Sequence, residues 1–497
     1  MLEDQLFLRV VFEQNAVFIK GTDLSCQLDA ADEVDGDGAF VLADRIQERI
    51  LNVLCRLGIH GPISSYHRTQ PLFDIPRENS RSNHSAKQTC TLHPIVFGAS
   101  RQGVGTEKLR GEYDGEMVET ESRSKLLSVP MLDFSREFAE IREEVLGAIA
   151  AVCESQRVIL GPEVARFEAA AAADCGVPYA IGCASGTDAL WLALAALKIG
   201  EGDSVVTTPF TFFATVSSIL RVGAKPVLAD IDEGTFNLSP GAVEKVLGTG
   251  VVAVMPVHLY GQCADMTAFR GMGLKMVEDA AQAFGASWEG VKAGGLGDAA
   301  AFSFYPTKNL AAFGDAGMVT TRDEVTAERA KMLRAHGMRL RYYHDEVGWN
   351  SRLDTLQAAV LEVKLKRVEA GNRRRRELAA LYNERFTAAG LVGKTTAEGV
   401  VLPFCDPRAD HVYHQYVIRA PRRDALREYL AANSIGSEVY YPLVLSLQES
   451  LKFLGYKKGD FPVSEKAAEE VLALPIYPEL RLEELDSVVE AIRRFYA

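Results

Sequence analysis

From about residue 129 onward the chain alternates helical segments with short strands rich in β-branched residues. That rhythm restricts it to a mostly parallel sheet covered by helices on both faces, an α/β fold. PEVARFEAAAAADCG reads as a helix closed by Gly176. YAIGCAS reads as a strand running into a second helix that starts at about Asp188, within SGTDALWLALAALKIG, and is closed by Gly200. SVVTTPF, KPVLADI, VVAVMPVHLYG and LKMVEDAAQAFG repeat the theme of a strand followed by turn chemistry. Turns at the carboxyl ends of strands are where open α/β sheets bind ligands. A long amphipathic helical run comes next, DTLQAAVLEVKLKRVEAGNRRRRELAALYNERFTAAG, and then VYHQYVIRAP, REYLAANSIGSEVYY and EELDSVVEAIRRFYA. The expected division is a large domain over 129–370 and a smaller α+β domain over 371–497. The charge run Arg373–Arg376 is expected to be a solvated helix face.

Residues 1–128 read differently. Short apolar runs are interrupted by DAADEVDGDG and by HRTQPLFDIPRENSRSNHSAKQTC, so this extension is expected to be partly disordered, with one amphipathic helix over 42–58. Met117 or Met131 is an alternative start of the working protein, the upstream part then being an appendage. His60, His67, His84 and His93 lack metal-ligand spacing, and no metal site is expected. With 47% hydrophobic and 24% charged residues, the chain as a whole is a folded protein rather than a disordered or fibrous one. A formal net charge of −13 disfavours a nucleic-acid partner, which requires basic surface to displace counterions, but leaves small anions possible. No apolar run is long enough for a membrane helix, and MLEDQLFLRVVF carries acids where an export signal carries Lys or Arg. Eight cysteines scattered without a CxxC pair fit reduced thiols in a cytoplasm.

Four segments carry chemistry. In ASGTDAL, Ser185, Gly186 and Thr187 lie between a strand and a helix, where backbone N–H groups and the helix dipole suit a phosphate monoester; a plain helix cap is the alternative. VEDAAQAFG delivers Glu278 and Asp279 at the end of a hydrophobic strand. A buried acid there needs a cation, such as a protonated pyridine nitrogen, unless Asp279 is simply an N-cap. Gln282, three residues on, is in reach of a ring oxygen if the segment turns helical. In AFSFYPTKNLAAFGDAGMVTT, Lys308 sits in a turn near Pro306, Gly314 and Gly317; partial desolvation would make its amine a nucleophile able to form a Schiff base, whereas a solvated lysine would do nothing. TTPFTFFAT offers Phe212 either as a platform for a flat ring or as a core residue. One ligand fits all four: pyridoxal 5′-phosphate.

From about residue 130 to the C-terminus the sequence resembles the sugar aminotransferases of the DegT/DnrJ/EryC1/StrS group. SGTDAL, VEDAAQAFG, FSFYPTKNL, GDAGMVTT, GWNSRLDTLQAAVL and VYHQYVIR occur in that family's order and spacing. The resemblance implies the aspartate aminotransferase fold (fold type I), a homodimer, and transfer of an amino group from glutamate to a keto group of a nucleotide-linked sugar. It also implies that Lys308 forms the internal aldimine and shuttles the proton, that Asp279 pairs with the pyridine nitrogen and that Gln282 contacts the ring oxygen. Gly186, Thr187 and Ser303 correspond to phosphate-binding positions, Phe212 to the stacking aromatic, and Asn350 to an asparagine that reaches the neighbouring subunit's cofactor phosphate. Dehydratase relatives have histidine where Lys308 stands, so lysine favours transamination over the dehydratase alternative. A PLP-binding sensor with residues 1–128 as an interaction arm is a more remote reading. The stretch RLRYYHDEVGWNSRLDTLQAAVL is closer to members acting on 3-keto than on 4-keto sugars; Tyr342, Tyr343 and His344 within it are either sugar contacts or solvated loop residues. The family pattern says nothing of residues 1–128.

Overall fold

The computed structural model describes residues 126–497 and, as backbone, two strands near the N-terminus. Those strands, Phe7–Phe12 and Asn15–Lys20, pair antiparallel. The expected helix over 42–58, the four histidines and the expected disorder lie outside the described residues. The chain divides between Thr120 and Glu121 into two units, and the second unit holds all the remaining described elements.

The centre of this second unit is a seven-stranded sheet. The strands are β1 (Tyr179–Cys183), β2 (Ser204–Thr207), β3 (Lys225–Leu228), β4 (Val251–Val254), β5 (Lys275–Asp279), β6 (Ala299–Ser303) and β7 (Gly317–Thr321). They lie in the order β1-β7-β6-β5-β4-β2-β3. Only β7 runs antiparallel to its neighbours, β6 and β1; the other pairings are parallel. Successive side chains point to opposite faces of a strand, and here both faces are dry. Ala300, Phe302, Met318 and Val206 enter one core, whereas Ala299, Ala301, Val319 and Val205 enter the other.

The helices are α1 (Phe134–Ser155), α2 (Pro162–Cys175), α3 (Gly186–Ala196), α4 (Ala214–Arg221), α5 (Pro240–Val246), α6 (Met266–Arg270), α7 (Glu324–Leu333), α8 (Thr355–Leu365), α9 (Val368–Ala388), α10 (Arg423–Ala432), α11 (Pro462–Glu470) and α12 (Leu482–Tyr496). Helices α2, α5, α6 and α8 cover the first face, and α3, α4 and α7 the second. α2 ends at Gly176 with φ 66°, a left-handed position glycine takes without penalty. α3 differs from its expected limits. It starts at Gly186 because Ser185 caps it, accepting from the Asp188 N–H at 3.1 Å. It ends before Gly200, where Lys198 takes the left-handed position at φ 59° and the Ile199 N–H returns to the Leu194 carbonyl. The single long helical run expected after residue 354 is two helices, α8 and α9, broken at Lys366–Arg367.

Beyond α9 the strands β8 (Tyr416–Arg419) and β9 (Val471–Leu474) pair antiparallel and share a core with Leu378, Tyr382 and Phe386 of α9 and with α10 and α12. Arg375 corrects one part of the solvated-face expectation: it is buried, and its Nη1 donates to the carbonyls of Ile476, Tyr413 and His414 at 2.8, 3.3 and 3.5 Å. No helix among the described residues is long and apolar enough to cross a membrane.

Candidate active site

The parity of β5 separates two adjacent acids. Glu278 lies on the same face as Met276. It accepts from the N–H groups of Gly294, Leu296 and Gly297, each at 2.8 Å, and pairs with His258 Nε2 at 3.0 Å. His258 Nδ1 accepts from the Ala264 N–H at 3.1 Å, so Nε2 is the donor to Glu278. With four donors, Glu278 holds the 294–297 loop. Asp279 points to the other face, where Thr215 of α4 donates its hydroxyl to Oδ2 at 2.8 Å and the Ala281 N–H donates to Oδ1 at 3.3 Å. Burial pushes the Asp279 carboxyl above the ordinary range, opposed by the Thr215 and Ala281 hydrogen bonds and by the charge of Lys308. Asp279 is therefore not an N-cap. It is a buried acid at the carboxyl edge of the sheet that would be relieved by a cation.

A second cluster forms where β1, β7 and β6 meet. Ser303, Gly317 and Cys183 stand in register across three strands, and the chain leaving β1 turns into α3. A Cβ on Gly186 would lie 2.5 Å from Ser303 Cβ and 2.9 Å from its Oγ. A Cβ on Gly317 would lie 2.2 Å from the Ser185 carbonyl oxygen. The two glycines let β7, the Ser303 hydroxyl and the amino end of α3 approach closely, leaving Gly186, Thr187 and Ser303 half-buried. A helix amino terminus beside a hydroxyl is a cradle for an anion. The donor set and the open cradle fit a phosphate monoester.

Lys308 lies in the turn between β6 and β7, its N–H bonded to the Tyr305 carbonyl at 2.8 Å. Burial pushes its amine down to about 8, while Asp279 pulls upward. The mutual influence of Lys308 and Asp279 brings the amine and the acid into one site. A lysine so perturbed is a nucleophile near neutral pH rather than a solvated charge.

Phe212 precedes α4 and is 59% exposed, whereas Phe210 is fully buried. The core alternative is thus met by Phe210, and Phe212 presents an open ring 6.2 Å from that of Tyr441. Gln282 sits in a turn rather than a helix. Its Oε1 accepts from the Tyr260 N–H at 2.7 Å and its Nε2 donates to the Tyr441 hydroxyl at 3.2 Å. Asn350 is exposed and bridges to Ala335, and no hydrogen bond among the described residues joins it to Lys308, Asp279 or Ser303. Ser351 beside it donates to Asp188 of α3 at 2.7 Å. Tyr342 and Tyr343 are exposed on a short hairpin.

Sequence reasoning missed Thr215, Tyr441, Asn309 and His414. Thr215 lay within the segment quoted for Phe212, three residues on and so one helical turn from it. Tyr441 carried no local signal, since it meets Gln282 across 159 residues.

A family model described as the DegT/DnrJ/EryC1/StrS aminotransferase family matches residues 139–493. The chain is 46% identical to a pleiotropic regulatory protein of Geobacillus stearothermophilus, over 74% of this chain and 99% of that protein. It is 42% identical to the dTDP-3-amino-3,4,6-trideoxy-alpha-D-glucose transaminase of Streptomyces venezuelae, over 75% of this chain and 98% of that one. The crystal structure of S. venezuelae DesV in complex with a ketimine intermediate superposes with TM-score 0.71 at 43% identity, covering 74% of this chain and 98% of that one. NtdA of Bacillus subtilis with bound cofactor PMP superposes with TM-score 0.67 at 29% identity, covering 75% and 86%. The matched span holds the sheet, the acid, the cradle and the lysine turn, and on that ground the chain belongs to the DegT/DnrJ/EryC1/StrS family of aminotransferases.

Proposed function

We propose that the chain moves an amino group from glutamate to a keto group of a nucleotide-linked deoxy-sugar, at carbon 3 rather than carbon 4, with pyridoxal 5′-phosphate as cofactor. The observation that carries this reading is the placing of a buried acid, Asp279, beside the strand that ends in Ser303 of the anion cradle, with Lys308 in the turn directly after that strand. Gly186, Thr187 and Ser303 would hold the cofactor phosphate, Asp279 the ring nitrogen, Gln282 the ring oxygen and Phe212 the ring face. Asn350 would serve the neighbouring subunit of a homodimer. Residues 129–370 would form the cofactor-binding domain and 371–497 the small domain.

When bound, the cofactor supplies an electron sink that acidifies a substrate Cα–H and carries the amino group between the two half-reactions. The chain's own part is positional and acid–base. Lys308 Nζ, neutral in an appreciable fraction near pH 8, accepts a proton from the substrate carbon and returns it. Asp279, held in place by the Thr215 hydroxyl, turns its carboxyl group toward the site. Carbon 3 is supported by the stretch from Arg339 to Leu361 and by the name of the 42% relative, a 3-amino-sugar transaminase.

Incubation with pyridoxal phosphate and glutamate should yield pyridoxamine phosphate and 2-oxoglutarate, and Lys308→Ala should abolish turnover. A panel of nucleotide-linked 3-keto and 4-keto sugars, read by product mass and by the carbon bearing nitrogen, tests the acceptor. The name of the 46% relative favours a second reading, a regulatory protein that binds the cofactor without turnover. Failure to form 2-oxoglutarate would overturn the aminotransferase reading.

A further inference from the structure

The turn that carries Lys308 is held from the C-terminal side of the molecule through the next residue. Asn309 Nδ2 donates to Asn372 Oδ1 at 2.7 Å and to the Val412 carbonyl at 3.1 Å, and its Oδ1 lies 3.2 Å from His414 Nδ1. Both donors and one of the two acceptor positions of this amide are thus turned inward. Asn372, on α9 and 1% exposed, uses its own Nδ2 to donate to the Phe284 carbonyl at 3.0 Å. Phe284 ends the turn that began at Asp279 and contains Gln282. One buried amide therefore connects the lysine turn to the acid turn. The 412–414 segment is itself rigidly seated. The Val412 N–H bonds to the Gly261 carbonyl at 3.0 Å, Arg375 donates to the carbonyls of Tyr413 and His414, and Gly261, at φ 103°, has room for no side chain because a Cβ would lie 2.9 Å from the His414 nitrogen.

We infer that Asn309, clamped by Asn372 and His414, is the positioning residue that fixes Lys308 over the site. The inference rests on the proposed role of Lys308 as the working amine. A lysine stem has four rotatable bonds, so the backbone beneath it must be fixed if the amine is to occupy one place. The Lys308 and Asn309 side chains leave adjacent positions of one turn, and holding the second immobilises the base of the first. The titratable group acting on Lys308 is Asp279 from β5; His414 of the 409–415 segment faces the same turn, and burial together with the charges of Lys308 and Arg375 holds its imidazole neutral. Because burial outweighs Asp279 in setting the amine, loosening the turn moves Lys308 back toward ordinary lysine behaviour.

The test is trinitrobenzenesulfonate labelling of the full-length cofactor-free protein across about pH 6.5 to 10.5, with the Lys308 peptide quantified by mass spectrometry. In the Asn309→Ala variant the apparent pKa of Lys308 should rise by about one unit, which lowers its labelling rate at about pH 8 roughly fivefold. With cofactor, the single-turnover rate of the glutamate half-reaction at saturating glutamate should fall about tenfold or more, while the glutamate concentration giving half that rate changes less than about twofold. Asn372→Ala should shift both readouts in the same direction. If that buried variant does not fold, Asn309→Ala, whose side chain is half-buried, carries the test alone. An unchanged Lys308 labelling profile in a folded Asn309→Ala protein would overturn the inference. Labelling uses neither cofactor nor substrate, so a wild-type protein without turnover would overturn the proposed function and leave this result to be read separately.

Discussion

Replacing Thr215 by Val removes a hydroxyl at nearly constant volume and leaves Asp279 Oδ2 without its 2.8 Å donor. Both residues are buried, so water does not replace the lost bond. A hydrogen bond to a charged group is worth about 1.5–3 kcal/mol. Thr211, whose hydroxyl lies 3.0 Å from that of Thr215, loses its partner as well, which adds about 1 kcal/mol. The expected loss of stability is about 2–4 kcal/mol at neutral pH. Because the lost bond favours the charged form over the neutral one, the change lifts the Asp279 carboxyl further above its ordinary range. The sign of the pH dependence is set by burial, which holds the folded pKa above the unfolded one. The stability linked to this proton is therefore full below about pH 4 and is lost as pH rises through the folded value. Thr215→Val raises that folded value, and its deficit against wild type should grow as pH rises past it. Urea unfolding of the cofactor-free protein at a series of pH values measures this. In an Asp279→Asn background, where only neutral hydrogen bonds are lost, the same change should cost about 1–2 kcal/mol and show no dependence on pH. A deficit that is independent of pH, or undiminished in the Asn background, would refute the reasoning.

Gly186→Ala places a methyl 2.5 Å from Ser303 Cβ; pyridoxal phosphate titration should show affinity weakened about tenfold or more, roughly 1.4 kcal/mol, and the overpacking should cost about 1–3 kcal/mol of stability. Arg136→Ala removes the bidentate partner of the fully buried Glu484, bonded at 2.8 and 2.7 Å across α1 and α12, at a cost of about 3 kcal/mol. Arg136 is the main cause that lowers the Glu484 carboxyl to about 2, so this deficit should be present at neutral pH and shrink as pH falls from about 4.5 toward 2; denaturation midpoints across that window check it. A protein beginning at residue 121 should keep turnover, because Leu127 N–H bonds to Ser487 Oγ and buried Val129 pairs with Ile435, whereas one beginning at 131 removes both contacts and should lose stability, as thermal melts would show.

The rhythm of helix and strand was legible because each strand here is short, bounded by turns and buried on both faces, a pattern that periodicity reports locally. Helix limits were less so. Gly200 was a reasonable terminus for α3, yet Lys198 took the left-handed position, since the return bond from Ile199 to Leu194 offset the strain. Arg375 looked like one of four solvated charges. Its burial depends on carbonyls supplied by Tyr413, His414 and Ile476, which no local window contains.

By itself the sequence determined the composition of the site: an acid at a strand end, a small-residue turn before a helix, and a lysine among glycines and aromatics, in an order shared with a known family. Each is a local signal, because strand ends, caps and turns are set by neighbours within a few residues. Only the tertiary structure decided which of two adjacent acids faces the site, and it did so through the parity of β5, sending Glu278 to the 294–297 loop and Asp279 to Thr215. It likewise decided that Lys308 is lowered to about 8 and that Asn309 is clamped across 63 and 105 residues. Burial and convergence are properties of packing, and packing brings together groups whose separation along the chain carries no trace of their contact.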